Sequence, residues 1–544
     1  MRCLSNPTMS PPKIPYLALS ALLNAALIHA APDQCVPDTF TFPDILGTKH
    51  ILTTASKVEG YTGFSKWKPE STEIGPEGVS FCNVSVTYSH LGDQDVIHAH
   101  VWLPLSGYNN RFVGVGGGGW ITGEIGDDAM SALTYKGYAT AATDGGYTHD
   151  PFSTADAWLM PNPGNVNQTL LTNFANRAVH EAAIIGKHIA KDYYVESPAF
   201  SYWSGCSTGG RQGITSALLH PHDFDGILAS CPGVEFPSLL LALYWPQFVM
   251  NQLGAYPDAC QFEALRAAAI EECDKLDGVK DGIISRDDLC RFDPNSVVGK
   301  EFVSQGAKCK VSEEAAKILK AMFEGPKDAG GKSLFAGSTP GTAAVGMMAL
   351  ANTLCQDGKC TDGIPFTIAT DWIRLLVKKD PSFDSKTLTP EQFSQLFHDS
   401  QRDYNGMFGA GDRDFQRFRK ANKKMITWHG TSDEAITING MRRFYDGVTA
   451  LDKSRGVDTA SYYRFFEVPG GTHCSAPVGV AHPLHALDSL RRWVEDGVAP
   501  DTLETTLIGQ DNEGGKEQNP LCPYPLTGSK KTGKFTCVER KNQV

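Results

Sequence analysis

The chain has 544 residues, 41% of them hydrophobic and 20% charged, an ordinary globular composition with enough length for more than one core. The formal net charge is −12 at pH 7, and the sequence contains no long run of basic residues. Because nucleic acids and anionic membranes bind clusters of Lys and Arg, both are disfavoured as partners, and neutral molecules or polymers are favoured.

The first 30 residues have the order of a secretory signal peptide. Arg2 and Lys13 precede an apolar stretch, Tyr16–Ile28, and the small residues Ala30-Ala31 follow it. The alternative, a membrane anchor, needs about 20 apolar residues, and this stretch is shorter. We therefore expect residues 1–30 to be cleaved and the protein to be soluble and secreted into the extracellular space.

The cysteines and two sequons fit an oxidising, extracellular compartment. Of the 14 cysteines, Cys3 would leave with the signal peptide, so that 13 remain and at least one stays unpaired. The sequons at Asn83 and Asn167 offer N-glycosylation sites, although three-residue patterns also occur by chance.

Patterns of strands and helices alternate in the first half of the chain. The predicted elements are, in order, strands over Arg111–Gly119 and Gly137–Gly145, an amphipathic helix over Asn173–Tyr194, a strand over Ala199–Trp203, a helix toward His220 and a strand over Gly226–Ser230. Such alternation predicts a doubly wound, mostly parallel sheet that is covered by helices on both faces.

The alternation stops after about Pro232 and returns with a strand over Met425–Trp428, a strand over Phe465–Val468 and a helix over Leu484–Trp493. The segment between carries many Gly, Asp, Lys and Cys residues and several helical patterns. We interpret residues 234–420 as an inserted lid domain, which has a plausible domain size, and residues 31–233 and 421–544 as the catalytic domain.

Gly205-Cys206-Ser207-Thr208-Gly209 matches the G-x-S-x-G motif and stands between a predicted strand and a predicted helix. In that context the turn is so tight that glycine is needed two residues to either side, and the serine hydroxyl projects from the sheet. Taken alone, the motif is equally well explained as a Ser/Gly turn.

Two partners for this serine follow at the expected places. A serine hydroxyl needs a histidine base, and the histidine needs a carboxylate to fix its tautomer. In α/β-hydrolases the chain order is serine, acid, histidine, each in a loop after a strand. Asp433 follows the strand Met425–Trp428, and His473 follows the strand Arg464–Val468. The sequence therefore predicts an α/β-hydrolase with the catalytic triad Ser207, Asp433 and His473.

Other roles are open for the last two residues. Asp433 could cap a helix, and His473 could be a surface histidine. Glu434 and His429 are the nearest rivals for the acid and the base, and local packing is the favoured role of His429.

An oxyanion in acyl transfer needs at least two fixed donors. The backbone N–H of Thr208 is the first, and the glycine loop Gly116–Gly119 can bring bare backbone close to Ser207, so Gly117 or Gly118 is predicted to supply the second. A dinucleotide-binding loop is disfavoured, because the G-x-G-x-x-G spacing and its acidic partner are missing.

The run Cys206–Arg211, CSTGGR, and the pair His473-Cys474 resemble the signature of the tannase and feruloyl esterase family, in which the cysteines beside the nucleophile and the histidine form a disulfide. The resemblance covers nearly all of the mature chain, including the glycine loop, His180-Glu181 and WHGTSDEAI. It implies nucleophile Ser207, acid Asp433, base His473 and a Cys206–Cys474 bridge that holds the serine and histidine together. The alternative is that Cys206 is a buried, unpaired residue.

The segment Cys273–Cys290, CDKLDGVKDGIISRDDLC, contains closely spaced aspartates and glycine turns, and hard oxygen ligands suit Ca²⁺ better than zinc. It resembles the family's structural calcium site, which implies as ligands the carboxylates of Asp274, Asp277 and Asp281 and the backbone oxygens of Val279 and Ile283. The alternative is a solvated acidic turn. The plausible further disulfides are Cys35–Cys82, Cys273–Cys290 and Cys522–Cys537, and the sequence gives no pairing for Cys231, Cys260, Cys309, Cys355 and Cys360.

The resemblance implies hydrolysis of phenolic esters, and we favour a feruloyl esterase that acts on hydroxycinnamoyl groups of plant cell-wall polysaccharide. A tannase that cleaves galloyl esters is the alternative, and an inactive secreted binding protein or a serine peptidase are more remote ones. Tyr244, Trp245, Phe248 and Trp372 could stack on an aromatic ring, but packing in the core is the favoured role of each. The oligomeric state does not follow from the sequence.

Overall fold

The computed structural model describes residues 34–62, 78–124, 128–304, 307–475, 477, 479–508, 514–517, 519–531 and 533–541. The predicted signal peptide lies outside these residues. Within them, no helix combines the length and the hydropathy that a membrane span requires.

A nine-stranded mixed sheet forms the centre of the molecule. Its strands are β1 Thr48–Tyr61, β2 Val79–His90, β3 Ile97–Pro104, β4 Arg111–Val115, β5 Ala139–Thr143, β6 Phe200–Cys206, β7 Gly226–Ser230, β8 Lys424–Gly430 and β9 Tyr463–Val468. They lie in the order β1-β2-β3-β5-β4-β6-β7-β8-β9. The six strands β4 to β9 run parallel, and β1, β2 and β3 pair antiparallel at one edge. The predicted fold class is confirmed, while the three antiparallel strands were not predicted.

Helices cover both faces of the sheet and recur along the long segment between β7 and β8. They are α1 Asp128–Tyr135, α2 Asp156–Leu159, α3 Gln168–Thr172, α4 Ala178–Tyr194, α5 Thr208–Leu219, α6 Phe236–Ala242, α7 Trp245–Leu253, α8 Ala259–Cys273, α9 Glu313–Glu324, α10 Thr367–Asp371, α11 Pro390–Phe408, α12 Gln416–Lys420, α13 Ile438–Ser454 and α14 Ala486–Asp496. Two π-helical turns, Asn173–Arg177 and Trp372–Val377, lead out of α3 and α10.

Two hydrophobic cores lie on opposite faces of the sheet because strand side chains alternate in direction. Phe465 of β9 belongs to the core that also contains side chains of α4, α5 and α13, whereas its neighbour Phe466 belongs to the core that contains side chains of α1 and α14. The short strands β5 and β7 are buried along their whole length, as central parallel strands are. These layers fix the carboxyl ends of the parallel strands along one edge, where the candidate site lies.

The segment between β7 and β8 contributes no strand to the nine-stranded sheet among the residues described. It contains α6 to α12 and two small hairpins, Glu301–Ser304 with Ala307–Lys310 and Thr353–Gln356 with Lys359–Gly363. After β9 come a small sheet of Ala481–His482, Thr506–Ile508 and Gly514–Glu517 and a hairpin of Leu526–Ser529 with Thr536–Glu539. The domain boundaries 233/234 and 420/421 stay a prediction.

Six disulfides link the described cysteines. They are the four expected pairs, Cys35–Cys82, Cys206–Cys474, Cys273–Cys290 and Cys522–Cys537, and two further pairs that the sequence does not predict, Cys260–Cys309 and Cys355–Cys360. Cys231, at the end of β7, is a free and buried thiol.

Candidate active site

The G-x-S-x-G motif forms a sharp turn between β6 and α5. Ser207 has φ 63° and ψ −119°, a left-handed conformation that is strained for a side chain larger than glycine. A Cβ atom on Gly205 would lie 2.7 Å from the backbone of Gly209, and one on Gly209 would lie 3.0 Å from the carbonyl oxygen of Gly117. The glycines are therefore required by close contacts, and the turn presents the Ser207 hydroxyl at the end of the sheet.

Ser207, His473 and Asp433 meet at the carboxyl ends of β6, β9 and β8. The Ser207 Oγ lies 2.9 Å from His473 Nε2, and His473 Nδ1 lies 2.9 and 3.1 Å from the two Asp433 carboxylate oxygens. His473 Nε2 can therefore accept the serine proton, while the proton on Nδ1 is hydrogen-bonded to the Asp433 carboxylate. This is the arrangement of an acyl-transfer triad.

Asp433 is held from several sides. Its Oδ1 accepts the backbone N–H groups of Ala435 and Ile436 at 3.0 and 2.7 Å, and His429 Nε2 lies 3.0 Å from its Oδ2. Burial by itself raises the pKa of Asp433, but the charge of His473 and the hydrogen bonds from both histidines outweigh burial and bring that pKa well below its usual range. The Asp433 carboxylate is therefore ionised and can stabilise the imidazolium that forms when His473 takes the serine proton.

The two rivals from the sequence are both present around the triad. His429 is fully buried on β8 and contacts Asp433 and the carbonyl oxygen of Ile436, not Ser207. Glu434 accepts the backbone N–H of His473 at 3.2 Å. Burial lowers the pKa of His473, but the charge and hydrogen bond of Asp433, with the charge of Glu434, raise it above the ordinary value.

The glycine loop packs against the start of α5. The N–H of Gly117 donates to the Gln212 side chain at 3.1 Å, so this predicted oxyanion donor is already engaged. The hydroxyl of Thr208 donates to the carbonyl oxygen of Gly119 at 2.8 Å, and both residues line the cavity beside Ser207. Gly118, between Gly117 and Gly119, is therefore the remaining oxyanion donor of the predicted pair. Gly119 is a further candidate for the second donor, from the same run of glycines.

The Cys206–Cys474 bridge joins the residues next to Ser207 and His473. Its Cα atoms are 5.9 Å apart, across 268 residues of sequence. The bond therefore fixes the spacing of the two loops directly beside the reacting groups.

An apolar cavity adjoins Ser207 and His473. Apart from Gly119, Thr208 and those two residues, its walls are Phe152, Phe236, Leu239, Leu240, Leu243, Met348, Phe366, Ile368, Ala435 and Ile436. Of the four aromatic residues singled out in the sequence, Tyr244, Phe248 and Trp372 are buried in the core, and Trp245 borders a neighbouring cavity. Sequence reasoning missed these walls, because they come from distant segments and only Ala435-Ile436 follows the triad acid directly.

The aspartate-rich loop is folded on itself. Asp274 accepts the backbone N–H groups of Asp281 and Gly282 at 3.1 and 3.0 Å, and Asp277 accepts that of Val279 at 2.9 Å. Asp277, Val279, Asp281 and Ile283 line one cavity. The Ile283 side chain would lie 3.0 Å from a Cβ atom on Gly470, so the loop also packs against the segment that carries His473.

The two sequons lie in different settings. Asn83 is half-buried on β2, and Asn167 caps α3 by accepting the backbone N–H of Leu170 at 3.1 Å. The Asn167 amide nitrogen is not used by that cap.

Residues 82–544 match the family described as tannase and feruloyl esterase. The chain belongs to the tannase and feruloyl esterase family. A probable feruloyl esterase from Arthroderma benhamiae is 39% identical over 468 residues, 86% of this chain and 85% of that protein. Feruloyl esterase C from Talaromyces stipitatus is 27% identical over 82% of each chain.

Solved structures of this family have the same fold. The tannin acyl hydrolase from Aspergillus niger superimposes with a TM-score of 0.83 at 25% identity, over 94% of this chain and 95% of that one. Feruloyl esterase B from Aspergillus oryzae gives 0.74 at 24% identity, over 91% of this chain and 98% of that one. With the family membership, the comparisons identify this member of the tannase and feruloyl esterase family as a carboxylic ester hydrolase.

Proposed function

We propose that the protein is a feruloyl esterase, which releases hydroxycinnamic acids from plant cell-wall esters through an acyl-enzyme on Ser207. The names of the relatives, probable feruloyl esterase and feruloyl esterase C, support the substrate class. The 2.9 Å contact between Ser207 Oγ and His473 Nε2 supports the mechanism.

In the first half of the reaction, Ser207 Oγ attacks the ester carbonyl while His473 Nε2 takes its proton. The negative charge of the tetrahedral intermediate lies at the start of α5, where the N–H of Thr208 and an N–H of Gly118 or Gly119 stabilise it. Asp433 stabilises the imidazolium. The intermediate then expels the alcohol, which receives the proton from His473.

In the second half, water attacks the acyl-enzyme and gives its proton to His473 Nε2. The new tetrahedral intermediate collapses, the Ser207–acyl bond breaks, and the proton returns to Ser207. The products are the free acid and an unchanged enzyme.

The apolar cavity beside Ser207 is the part of the site that discriminates between feruloyl and galloyl esters. A galloyl ring has three hydroxyls, whereas a feruloyl ring has one hydroxyl and one methoxy group. Each hydroxyl buried without a partner costs about 1–3 kcal/mol, and the walls beyond Thr208 and the triad offer aromatic and aliphatic side chains. The cavity therefore favours the acid with fewer hydroxyls.

A tannase is the second candidate. The specific observation in its favour is the TM-score of 0.83 to the tannin acyl hydrolase from Aspergillus niger. The triad does not discriminate between the two, because feruloyl and galloyl groups are transferred to Ser207 by the same chemistry.

Rates on methyl ferulate, methyl caffeate and methyl gallate test the substrate. We expect kcat/KM to fall in that order, by about tenfold for each added hydroxyl that stays unpaired. Ser207→Ala is the control, and it should lose turnover of all three esters by several orders of magnitude. Faster turnover of the gallate than of the ferulate would make the protein a tannase, and unchanged turnover in Ser207→Ala would remove the mechanism.

A structural Ca²⁺ belongs to the same proposal. The carboxylates of Asp274, Asp277 and Asp281 and the backbone oxygens of Val279 and Ile283 would hold it. Asp274 and Asp277 are buried, Asp277 and Asp281 face one cavity, and an all-oxygen donor set suits calcium. The ion would order the loop and take no part in the reaction at Ser207.

Export and glycosylation complete the proposal. Residues 1–30 act as a signal peptide, and Asn83 and Asn167 accept glycans in the secretory pathway. Six disulfides in the described residues support an oxidising compartment. The substrate is a small phenolic ester or a feruloylated polysaccharide.

A further inference from the structure

Arg211 is a buried cation close to the candidate nucleophile. It lies one turn into α5, where its backbone N–H donates to the carbonyl oxygen of Ser207 at 3.0 Å. Its side chain is fully buried, and among the residues described its guanidinium hydrogen bonds go to backbone carbonyl oxygens and not to a carboxylate. Burial lowers its pKa to about 9, against a weaker raising influence of Tyr147. Burying a charge costs free energy unless other groups compensate it, so the groups around Arg211 must stabilise its charge.

The guanidinium group holds the π-helical turn Asn173–Arg177 that precedes α4. It donates to the carbonyl oxygen of Ala175 at 2.6 Å and to that of Phe174 at 3.1 Å. Both carbonyls lie inside the turn, where the regular i to i+4 hydrogen bonds are replaced. Arg211 thereby ties α5 to the turn.

Three aromatic rings surround the same guanidinium. Its central carbon is 5.0 Å from the ring centroids of Phe174 and Phe236 and 5.1 Å from that of Phe408. Phe236 begins α6, and Phe408 ends α11, both after β7 in the long inserted segment. Cation–π attraction in a dry site is stronger than at a surface, so the three rings replace the missing carboxylate.

One of these rings is a wall of the cavity beside Ser207. Phe236 lines that cavity together with Ser207 and His473, whereas Phe408 and Phe174 do not. The position of Phe236 relative to the serine therefore depends on a cation that belongs to the serine's own helix.

We propose that Arg211 is a positioning residue that sets the acyl-binding wall Phe236 against the nucleophile turn, and so determines how well bulky aromatic acyl groups are held for attack. The proposal rests on the proposed acyl-enzyme function at Ser207. Arg211 does not touch the substrate, and its effect passes through Phe236.

The planar fork of arginine is what this role requires. Only a guanidinium can donate to two neighbouring carbonyls while its faces and edges contact three rings, and lysine offers a compact charge without that geometry. Methionine keeps much of the length but has neither the charge nor the donors. Arg211→Lys therefore keeps the positive charge without the planar geometry, and Arg211→Met removes both. Comparing the two variants shows which property the role requires.

The test compares two p-nitrophenyl esters, the acetate, whose acyl group ends in a single methyl, and the 3-phenylpropanoate, whose acyl group carries a phenyl ring for the aromatic and aliphatic walls that include Phe236. We expect Arg211→Lys and Arg211→Met to lose about 100-fold in kcat/KM on the phenylpropanoate, because a displacement of about 1 Å costs that much. On the acetate they should lose less than about threefold. Arg402→Met, which changes an exposed arginine of α11, should alter neither rate.

A purely structural role predicts equal losses on both esters, in proportion to the folded fraction measured by circular dichroism, and that result would overturn the proposal. If both Arg211 variants fail to fold, Phe408→Leu decides, because it loosens the aromatic cage outside the cavity and should show the same loss on the phenylpropanoate alone. A wild-type enzyme that cleaves the phenylpropanoate but not methyl ferulate would end the feruloyl assignment and leave this test intact.

Discussion

Asp433 contacts two histidines, and only one of them can reach the serine. His473 Nδ1 is 2.9 Å and His429 Nε2 is 3.0 Å from the same carboxylate oxygen. His429 is confined to β8 and shares its N–H with the Ile436 carbonyl, so it orients the acid and leaves the base role to His473. A second carboxylate, Glu434, adds negative charge beside His473 without taking the Asp433 position.

We predict that Glu434→Gln moves the acid limb of the kcat/KM profile to lower pH. The charges of Asp433 and Glu434 raise the pKa of His473, so loss of the Glu434 charge lowers that pKa, and the neutral base persists to lower pH. The glutamine side-chain oxygen can still accept the hydrogen bond from the His473 backbone N–H, so the plateau value of kcat/KM should stay within a few-fold of wild type. Profiles from pH 4 to 9 measure the shift.

Asp433→Asn is the matched control for this pH effect. It also removes a negative charge, but it should lose about 10⁴-fold in turnover because His473 is no longer held in the correct tautomer. An unmoved acid limb in Glu434→Gln would show that the Glu434 charge does not reach His473.

The elements that the sequence predicted well are those whose signal is local. The strands around Ser207, Asp433 and His473 are short apolar runs, and each is followed by a glycine-containing turn, so both the strands and the loops at their ends could be located. The cavity walls could not be located, since Phe152, Phe236 and Phe366 come from three segments that meet only through tertiary packing. The cage around Arg211 was hidden for the same reason, although Arg211 was part of the recognised signature.

At the level of loops, the Cys206–Cys474 bridge should support catalysis more than stability. We predict that replacing both cysteines with alanine lowers kcat by on the order of 100-fold at a temperature where the protein stays folded, because both loops can then shift by about 1 Å. A chain-entropy estimate allows about 5 kcal/mol of stabilisation for a closed loop of this length, and native bonds often give less.

The measurement is kcat of the double variant beside its circular dichroism spectrum and unfolding midpoint. The control replaces Cys355 and Cys360, whose short hairpin bridge lies outside the triad loops, and it should leave kcat unchanged. A folded Cys206/Cys474 variant with full turnover would mean that the sheet alone positions Ser207 and His473.

Across the whole molecule, a buried ion network joins four segments of the chain. Arg442 of α13 donates to Glu467 of β9 at 2.5 Å and to Asp287 at 2.6 Å, and Arg540 near the C-terminus donates to the same two carboxylates at 2.7 Å. Removing one partner would leave buried charge unpaired, which typically costs about 3–5 kcal/mol. Asp287 lies in the same Cys273–Cys290 segment as the proposed calcium ligands, four residues after Ile283, so this segment is anchored to the strand that leads to His473.

Calcium should therefore act on the stability of the whole fold and only weakly on the reaction. A ligand that binds the native state alone stabilises it by about 2.7 kcal/mol when its concentration is 100 times Kd. We predict that exhaustive chelation, or Asp277→Asn, lowers the unfolding midpoint by several degrees. The turnover at 25 °C should stay within about twofold, because the loop reaches the His473 segment through the packing of Ile283 beside Gly470 and through the ion network of Asp287, and neither contact involves a triad side chain.

Differential scanning calorimetry with and without added Ca²⁺ measures this shift, and elemental analysis checks that chelation has emptied the protein. Asp44→Asn, at an exposed position outside the loop, is the control and should melt like wild type in both conditions. In Asp277→Asn the response to added Ca²⁺ should be lost, since a ligand is missing, whereas a lower midpoint with an intact calcium response would place the ion elsewhere. An unchanged wild-type midpoint after confirmed removal of the metal would mean that the loop folds through its own hydrogen bonds and needs no ion.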